Sequence, residues 1–395
     1  MIPVEFVLFG LTLLGVAVTH THALRVALVG LAVIAAWKIG VAGFPSGEGF
    51  VGLVGHLKHE WVILANLLAL LVSFALLARH FEASRVPEWM PALLPGDWKG
   101  GFVLLVLIFV LSAILDNIAA ALIGGTVALR VFAGRVHIGY VAAIVAASNG
   151  GGSGSVLGDT TTTMMWIAGV SPWAVLTAYA AAIPALLVFG IPASLQQHKF
   201  SPIEKDPPGR VVIDWGRIGV VAVILLTAVG VNVWTNLYYP AVLDRFPVLG
   251  AAVFAAVVVT SLWRRADWLI VPEAVKGAVF LLALVAAASM MPVERLPSPS
   301  VAVTFGLGVL SAVFDNIPLT ALALKQGGFD WGMLAYAVGF GGSMMWFGSS
   351  AGVAITRLFP EAQSAEGWLK GAWHVPLAYV VGFGVQLVLT GWHPS

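Results

Sequence analysis

The chain has no cysteine and very little charge. Of its 395 residues none is Cys and only 10% are charged, whereas a typical soluble domain has about 25% charged residues. The absence of cysteine excludes disulfides, thiol catalysis and metal sites with cysteine ligands. The 20 basic and 19 acidic residues nearly cancel, to a net charge of +1, so no nucleic-acid partner is expected.

Apolar residues make up 59% of the chain. A transmembrane helix needs about 20 predominantly apolar residues, and the sequence contains ten such stretches. We expect spans at 3–19, 24–42, 61–79, 136–170, 172–192, 216–235, 247–263, 275–291, 331–359 and 373–391. Glycine-rich polar segments interrupt the fourth and the ninth of these spans. The sequence therefore predicts an all-α polytopic membrane protein.

Two further apolar segments, 101–132 and 300–324, are broken by "LDNIA" and "FDNIP". Each segment is too short for two spans and too polar at its centre for one. We expect two re-entrant helical hairpins, with an Asp-Asn pair at the tip of each.

The distribution of lysine and arginine predicts the orientation of the chain. If the hairpin 101–132 enters from the cytoplasm, 15 basic residues lie on the cytoplasmic side. The other side then has five: Lys38, Lys58, Arg245, Arg295 and Lys325. Because basic residues concentrate in cytoplasmic loops, this bias predicts that both termini are outside and that the second hairpin enters from outside.

The two halves of the chain repeat each other. "LSAILDNI" (111–118) matches "LSAVFDNI" (310–317) at an offset of 199 residues, and "GGSGSVLGDT" (151–160) matches "GGSMMWFGSS" (341–350) at an offset of 190. Each half carries five spans, an odd number, so we expect the second half to be inverted. Inverted repeats with broken helices are typical of secondary transporters.

The repeat defines three expected segments. Residues 1–195 form the first repeat, with spans 1–3, the hairpin 101–132, the broken span 136–170 and the span 172–192. Residues 196–214 form a polar, proline-rich cytoplasmic linker. Residues 215–395 form the second repeat, with spans 6–8, the hairpin 300–324, the broken span 331–359 and the span 373–391.

Acidic residues at membrane depth are the main functional candidates. Only Asp116, Asp159 and Asp315 fall within the broken elements, where an ionisable group costs about 2.5–3.5 kcal/mol. Each can also cap the helix that follows it, and capping is compatible with ion binding. The glycines at 150, 151, 152 and 154 are expected to unwind the chain and to bring carbonyl oxygens close to a small ion.

The predicted cation or substrate site combines these acids with neutral groups from the same motifs. It comprises Asp116, Asn117, Asn149, Gly151, Ser153, Asp159, Thr160, Asp315, Asn316, Gly341, Ser343 and Ser349. The three aspartates are the expected metal ligands, for Na⁺ rather than a transition metal. Lys325 and Arg357 either pair with an anionic substrate or mark helix ends in water.

The chain resembles the ion transporter superfamily, and within it the NhaD-type Na⁺/H⁺ antiporters and the related citrate carriers. The motifs that carry the resemblance are "SAILDNIAAALIGG", "SNGGGSGSVLGDTTTTMMWI", "SAVFDNIPLTAL" and "GFGGSMMWFGSSAGVAI". The resemblance covers residues 100–192 and 300–360 and implies an elevator-type homodimer. Both hairpins and spans four, five, nine and ten would then move against a fixed scaffold. Ser349 stands where the first half has Asp159, which argues against two equivalent cation sites.

We therefore expect a secondary active transporter and not an enzyme. Exchange of Na⁺ or Li⁺ for protons is favoured, because three acids without an arginine in the motifs suit a cation. The alternative is cation-coupled transport of citrate or another dicarboxylate, followed by an arsenite or other oxyanion carrier. A passive channel and an intramembrane hydrolase with an aspartate dyad are further rivals.

The same interpretation gives the expected surroundings of the protein. No cofactor is expected apart from the coupling ions Na⁺ and H⁺. The expected partners are a small ion or organic anion, the lipid bilayer and a second copy of the chain. The expected location is the bacterial inner membrane, with multiple passes.

Overall fold

A computed structural model of the protein describes residues 3–19, 22–204, 211–243 and 245–395. In these ranges the regular structure is helical, apart from one isolated bridge between Phe44 and Gly47. The first half of the chain forms α1 (Val4–Val18), α2 (Ala23–Trp37), α3 (Gly49–Ala83), α4 (Val86–Trp89), α5 (Trp98–Ser112), α6 (Asn117–Val131), α7 (Ile138–Ser153), α8 (Thr160–Ile167), α9 (Pro172–Leu176) and α10 (Tyr179–Phe200). The second half forms α11 (Trp215–Tyr238), α12 (Pro240–Leu243), α13 (Val248–Thr260), α14 (Val271–Ser289), α15 (Val301–Ser311), α16 (Asn316–Gln326), α17 (Trp331–Gly341), α18 (Ser350–Ile355), α19 (Ala365–Gly371) and α20 (His374–Thr390).

Among the described residues, five helical segments are long and apolar enough to cross a membrane. They are Ala23–Ala42, Gly49–Ala83, Pro172–Phe200, Trp215–Tyr238 and Trp268–Ser289. Shorter apolar helices accompany them, and α19 and α20 form one further candidate span that is bent by 60°. The chain is therefore a multi-pass membrane protein, as the sequence predicts. The linker 196–214 lies only partly in the described residues, because 205–210 fall outside them.

The helices break at the predicted Asp-Asn motifs. Residues 113–116 separate α5 from α6, a pair that we call hairpin 1, and residues 312–315 separate α15 from α16, which we call hairpin 2. Asp116 caps α6 by accepting a hydrogen bond from the backbone N–H of Ile118 at 2.9 Å. A carboxylate at this position satisfies a helix N–H group that has no intrahelical partner.

The two interrupted spans also break, and of the four glycines expected to unwind the first of them only Gly154 lies in the break. We expected residues 150–152 to unwind the chain, and this prediction is wrong, because α7 continues as a helix to Ser153. The glycines instead allow another helix to approach closely. A Cβ atom at Gly151 would lie 2.0 Å from the carbonyl oxygen of Phe109, where no side chain fits. The break itself comprises residues 154–159, and the second break comprises residues 342–349.

The chain forms two compact units that combine parts of both sequence halves. Unit 1 contains α1, α2, α3 as far as His80, α11 from Gly219, α12–α14, and α16 from Ile317. Unit 2 contains α4–α10, α15, Asn316 and α17–α20. All the elements that the family resemblance assigns to a mobile domain thus lie in unit 2, except α16.

The internal repeat is visible as duplicated contacts within unit 2. The hydroxyl of Ser112 donates to Ser148 O at 2.5 Å, and the hydroxyl of Ser311 donates to Val338 O at 2.7 Å. These pairs are related by the offsets 199 and 190 found in the sequence. The close approach at Gly151 also recurs, because a Cβ at Gly341 would lie 2.2 Å from the carbonyl oxygen of Gly308. Each half therefore packs its hairpin against its broken span in the same way.

Candidate functional site

Three aspartates of unit 2 stand at the starts of helices. Asp116 caps α6, as described above, and Asp159 caps α8 by accepting from the N–H of Thr161 at 3.1 Å. Asp315 directly precedes α16 and accepts a hydrogen bond from the hydroxyl of Ser350 at 2.9 Å. Helix N-termini carry a partial positive charge, which favours a carboxylate at each of these positions.

Asp159 lies at the centre of this group. Its side chain is only 2% exposed, and it interacts electrostatically with both Asp116 and Asp315. The amide of Asn316 donates to Asp159 Oδ2 at 3.4 Å, so the tip of hairpin 2 contacts the first break directly. No lysine, arginine or histidine of the described chain forms an ion pair with Asp159.

A chain of neutral hydrogen bonds joins the tip of hairpin 1 to the second break. Asn117 Nδ2 donates to Asn149 Oδ1 at 3.0 Å. Asn149 Nδ2 in turn donates to the hydroxyls of Ser343 at 2.9 Å and Ser349 at 3.0 Å. Asn149 is fully buried, and its side chain thereby connects residues from both halves of the repeat.

Two differences between the repeated segments bear on the site. Asp159 corresponds to Ser349, and Asn149 corresponds to Gly339 at the same offset of 190. A Cβ on Gly339 would lie 3.4 Å from Asp159 Oδ2. The Asp159 carboxylate is therefore next to the backbone position at which the second half has glycine in place of Asn149. The first break therefore presents an acid, and the second receives the amide hydrogens of Asn149.

The threonines that follow Asp159 divide into two roles. The hydroxyls of Thr162 and Thr163 donate to the carbonyls of Ser155 and Val156 at 2.6 and 2.8 Å, which fixes the break against α8. Thr161 is fully buried, and its hydroxyl interacts with the carboxylate of Asp159 and has no other hydrogen-bond partner in the described part of the chain. A buried hydroxyl oxygen next to a carboxylate is a suitable ligand for a small cation.

The remaining predicted residues lie around this centre. Thr160 is buried at the start of α8, and the hydroxyl of Ser153 bonds back to Gly150 O at 2.8 Å. The carbonyl of Gly151 already accepts from the hydroxyl of Tyr179 at 2.9 Å, and Gly341 lies under α15. Within the described residues, no group of three or more His, Cys, Asp or Glu side chains could hold one metal ion.

Three serines that form hydrogen bonds in this site were absent from the predicted set. Ser350 bonds Asp315, and Ser112 with its counterpart Ser311 bonds the broken span of its own half. The repeated serine in "LSAILDNI" and "LSAVFDNI" was the sequence signal for the second pair. Nothing local to Ser350 indicated its contact with a residue 35 positions away.

The close approach at Gly151 gives a stability prediction. Gly151→Ala should destabilise the protein by about 1–3 kcal/mol, because the added methyl group must displace the backbone at Phe109. Gly230→Ala is the control, since a Cβ at Gly230 meets nothing within 4 Å and alanine favours a helix. Thermal unfolding in detergent compares the two variants. Equal midpoints would contradict the packing role of Gly151.

Fold and site together define a membrane protein in which paired broken helices enclose a buried acid. No family model matches the chain. The chain is similar to "Sodium/proton antiporter 1" of Arabidopsis thaliana, with 24% identity over 392 residues, covering 88% of the chain and 66% of that protein. It is also similar to "Na(+)/H(+) antiporter NhaD" of Alkalimonas amylolytica, with 28% identity over 348 residues, covering 74% of the chain and 69% of that protein. The chain thus spans about two thirds of the length of these relatives. The resemblance to NhaD-type antiporters that the motifs predict is confirmed.

Proposed function

We propose that the protein is a secondary active transporter that exchanges Na⁺, or Li⁺, for protons. The observation that carries this proposal is the buried carboxylate of Asp159, which has no cationic side chain as a partner in the described chain. A buried charge without compensation costs several kcal/mol. Asp159 is therefore stable when either a proton or a metal cation neutralises it. Because the proton and the metal cation neutralise the same carboxylate in turn, the protein exchanges one for the other.

The neighbouring groups complete this site. The hydroxyl of Thr161 and the carboxylate of Asp159 supply oxygen ligands, which hard cations prefer. Asp116 and Asp315 add negative potential and accept protons or cations as the site fills. Asn117 and Asn316, at the hairpin tips, connect ion binding to the positions of the hairpins.

The difference between the two breaks favours one main cation site. The amide hydrogens of Asn149 point at Ser343 and Ser349, and they repel a cation at the second break. The first break has Asp159 and the hydroxyl of Thr161 instead. We therefore place Na⁺ at the first break, while the second break organises the neutral hydrogen-bond chain.

The rival functions are less well supported. None of the site residues is cationic, and three carboxylates would repel citrate or an oxyanion. The relatives are named as antiporters, which favours coupled transport over a channel or a hydrolase.

The finer architecture belongs to the same proposal. The shorter apolar helices would complete ten spans and two re-entrant hairpins in two inverted repeats, within a homodimer in the bacterial inner membrane. The grouping of α5–α10, α15 and α17–α20 in unit 2 supports an elevator movement of that unit.

The orientation can be tested with single cysteines, because the natural chain has none. A cysteine at exposed Pro202 should react with a membrane-impermeant reagent only from the cytoplasm, and one at exposed Ser298 only from outside. The measurement is labelling in intact cells and in inverted vesicles. Labelling of both positions from one side would exclude the inverted arrangement.

The function is tested in proteoliposomes that contain a pH-sensitive dye. Na⁺ or Li⁺ added outside should drive protons out of the lumen, whereas K⁺ and citrate should not. Proton movement with citrate but not with Na⁺ would contradict the proposal, and so would Na⁺ uptake without any counter-movement of protons.

A further inference from the structure

The second helix of hairpin 2 is fastened to another helix of unit 1. Lys325, in the last turn of α16, donates hydrogen bonds from Nζ to the carbonyl oxygens of Ser289 at 2.5 Å and Met291 at 2.6 Å. The carbonyl of Ser289 is at the C-terminal end of α14, and that of Met291 lies two residues beyond it. At a helix C-terminus the carbonyls lack intrahelical partners and the dipole is negative. Gln326 adds a hydrogen bond from Nε2 to Pro297 O at 2.9 Å.

The C-terminal end of α14 also forms a hydrogen bond with α3. The hydroxyl of Ser289 donates its one hydrogen to Ala286 O at 2.9 Å, so it accepts from His56 Nε2 of α3 at 2.9 Å. The carboxylates of Glu294 and Glu60 attract the ammonium group of Lys325, and Lys38 repels it. The ammonium group thus binds an end of α14 that α3 holds in place.

Hairpin 1 has no equivalent attachment at the matching position. The offset of 199 residues relates Lys325 to Thr126, whose hydroxyl donates to Leu122 O within its own helix at 2.9 Å. Both helices of hairpin 1 belong to unit 2, whereas hairpin 2 is divided between the units after Asn316. The attachment and the division into units therefore single out the same helix by independent observations.

We propose that Lys325 is a positioning residue, which fixes α16 to unit 1 and thereby sets the position of Asn316 against Asp159. This role depends on the proposed function for its effect on transport, but the attachment itself can be measured without transport. Asn316 is the first residue of α16, and its side-chain amide donates to Asp159 Oδ2. If Lys325 no longer holds α16, this hydrogen bond forms a smaller fraction of the time. The expected consequence is a lower affinity for the cation, although the carboxylate of Asp159 is unchanged.

The experiment compares Lys325→Met, Lys325→Arg and Thr126→Val in the full-length protein. Methionine keeps the unbranched chain without the charge, arginine keeps a cationic donor, and Thr126→Val changes the matching position of hairpin 1. Hydrogen–deuterium exchange should be about tenfold faster over residues 316–326 in Lys325→Met, since a hydrogen bond to a charged group contributes at least that factor. The other two variants should exchange like the wild type in this segment.

Transport gives the second readout. Lys325→Met should raise the half-saturating Na⁺ concentration about fivefold or more with a nearly unchanged maximal rate, and Lys325→Arg should restore it. Unchanged exchange over 316–326, or an arginine variant as impaired as the methionine variant, would overturn the proposal. Faster exchange spread over the whole protein would also overturn it, because the lysine would then be a general stabiliser. If the wild type shows no Na⁺-driven proton flux, the proposed function fails. The hydrogen–deuterium exchange result then still tests whether Lys325 attaches α16 to α14.

Discussion

Asp159→Asn should abolish Na⁺-driven proton movement, to the level of empty liposomes, while the protein still folds. Asparagine keeps the size of the side chain and an oxygen that caps α8 through the N–H of Thr161. It carries no charge for a cation and takes up no proton near neutral pH. The measurement is dye-reported proton flux at saturating Na⁺, together with a thermal midpoint that shows folding.

A capping acid elsewhere in unit 2 provides the control for this variant. Asp330 is also buried and caps α17, accepting from Met333 N at 3.0 Å and from His393 N at 2.9 Å. Asp330→Asn should leave the transport rate within about twofold of the wild type, because its carboxylate lies outside the proposed site. Transport that survives in Asp159→Asn would show that Asp159 acts only as a cap.

Asn149→Ala should cause both a loss of transport and a loss of stability. The substitution leaves the amide of Asn117 and the hydroxyls of Ser343 and Ser349 without their partner. Ser349 Oγ still accepts from the N–H of Gly352 at 3.2 Å, so two buried groups are left unsatisfied. Each such group costs about 1–3 kcal/mol, so we expect a total destabilisation of about 2–6 kcal/mol. Thermal unfolding and proton flux, measured on the same preparation, check both parts of this expectation.

Asn236→Ala is the matched control for Asn149→Ala. Asn236 lies in α11 and is exposed, and within the described chain its side chain bonds to Asn232 of its own helix, at 2.9 and 3.0 Å. Its removal should change stability by less than about 0.5 kcal/mol, as surface substitutions usually do. If both asparagine variants behave alike, the hydrogen-bond chain between the two halves does not contribute to the site.

The sequence predicts the positions of the critical elements because capping and repetition are local signals. An aspartate between two apolar segments marks a helix start, and this placed the breaks at Asp116 and Asp159 correctly. The duplicated "LSAILDNI" predicted equivalent packing in both halves, and the contacts of Ser112 and Ser311 show it.

The remaining features depend on contacts between distant parts of the chain. A glycine can unwind a helix or allow a close crossing, and only the position of Phe109 decides this for Gly151. The bond from Asn149 to Ser349 joins residues 200 positions apart, and no local pattern indicates it. The hydrogen bonds from Lys325 to the carbonyls of Ser289 and Met291 likewise join residues 36 and 34 positions apart.

The central claim is that Na⁺ and a proton compete for the buried carboxylate of Asp159. The most direct test is the half-saturating Na⁺ concentration of the wild-type protein in proteoliposomes, measured at several pH values. Competition at one carboxylate predicts that this concentration rises by up to about tenfold for each unit by which the pH falls, with the maximal rate preserved at saturating Na⁺. A half-saturating concentration that stays constant while the pH changes would contradict the account, because Na⁺ and the proton would then bind at separate sites.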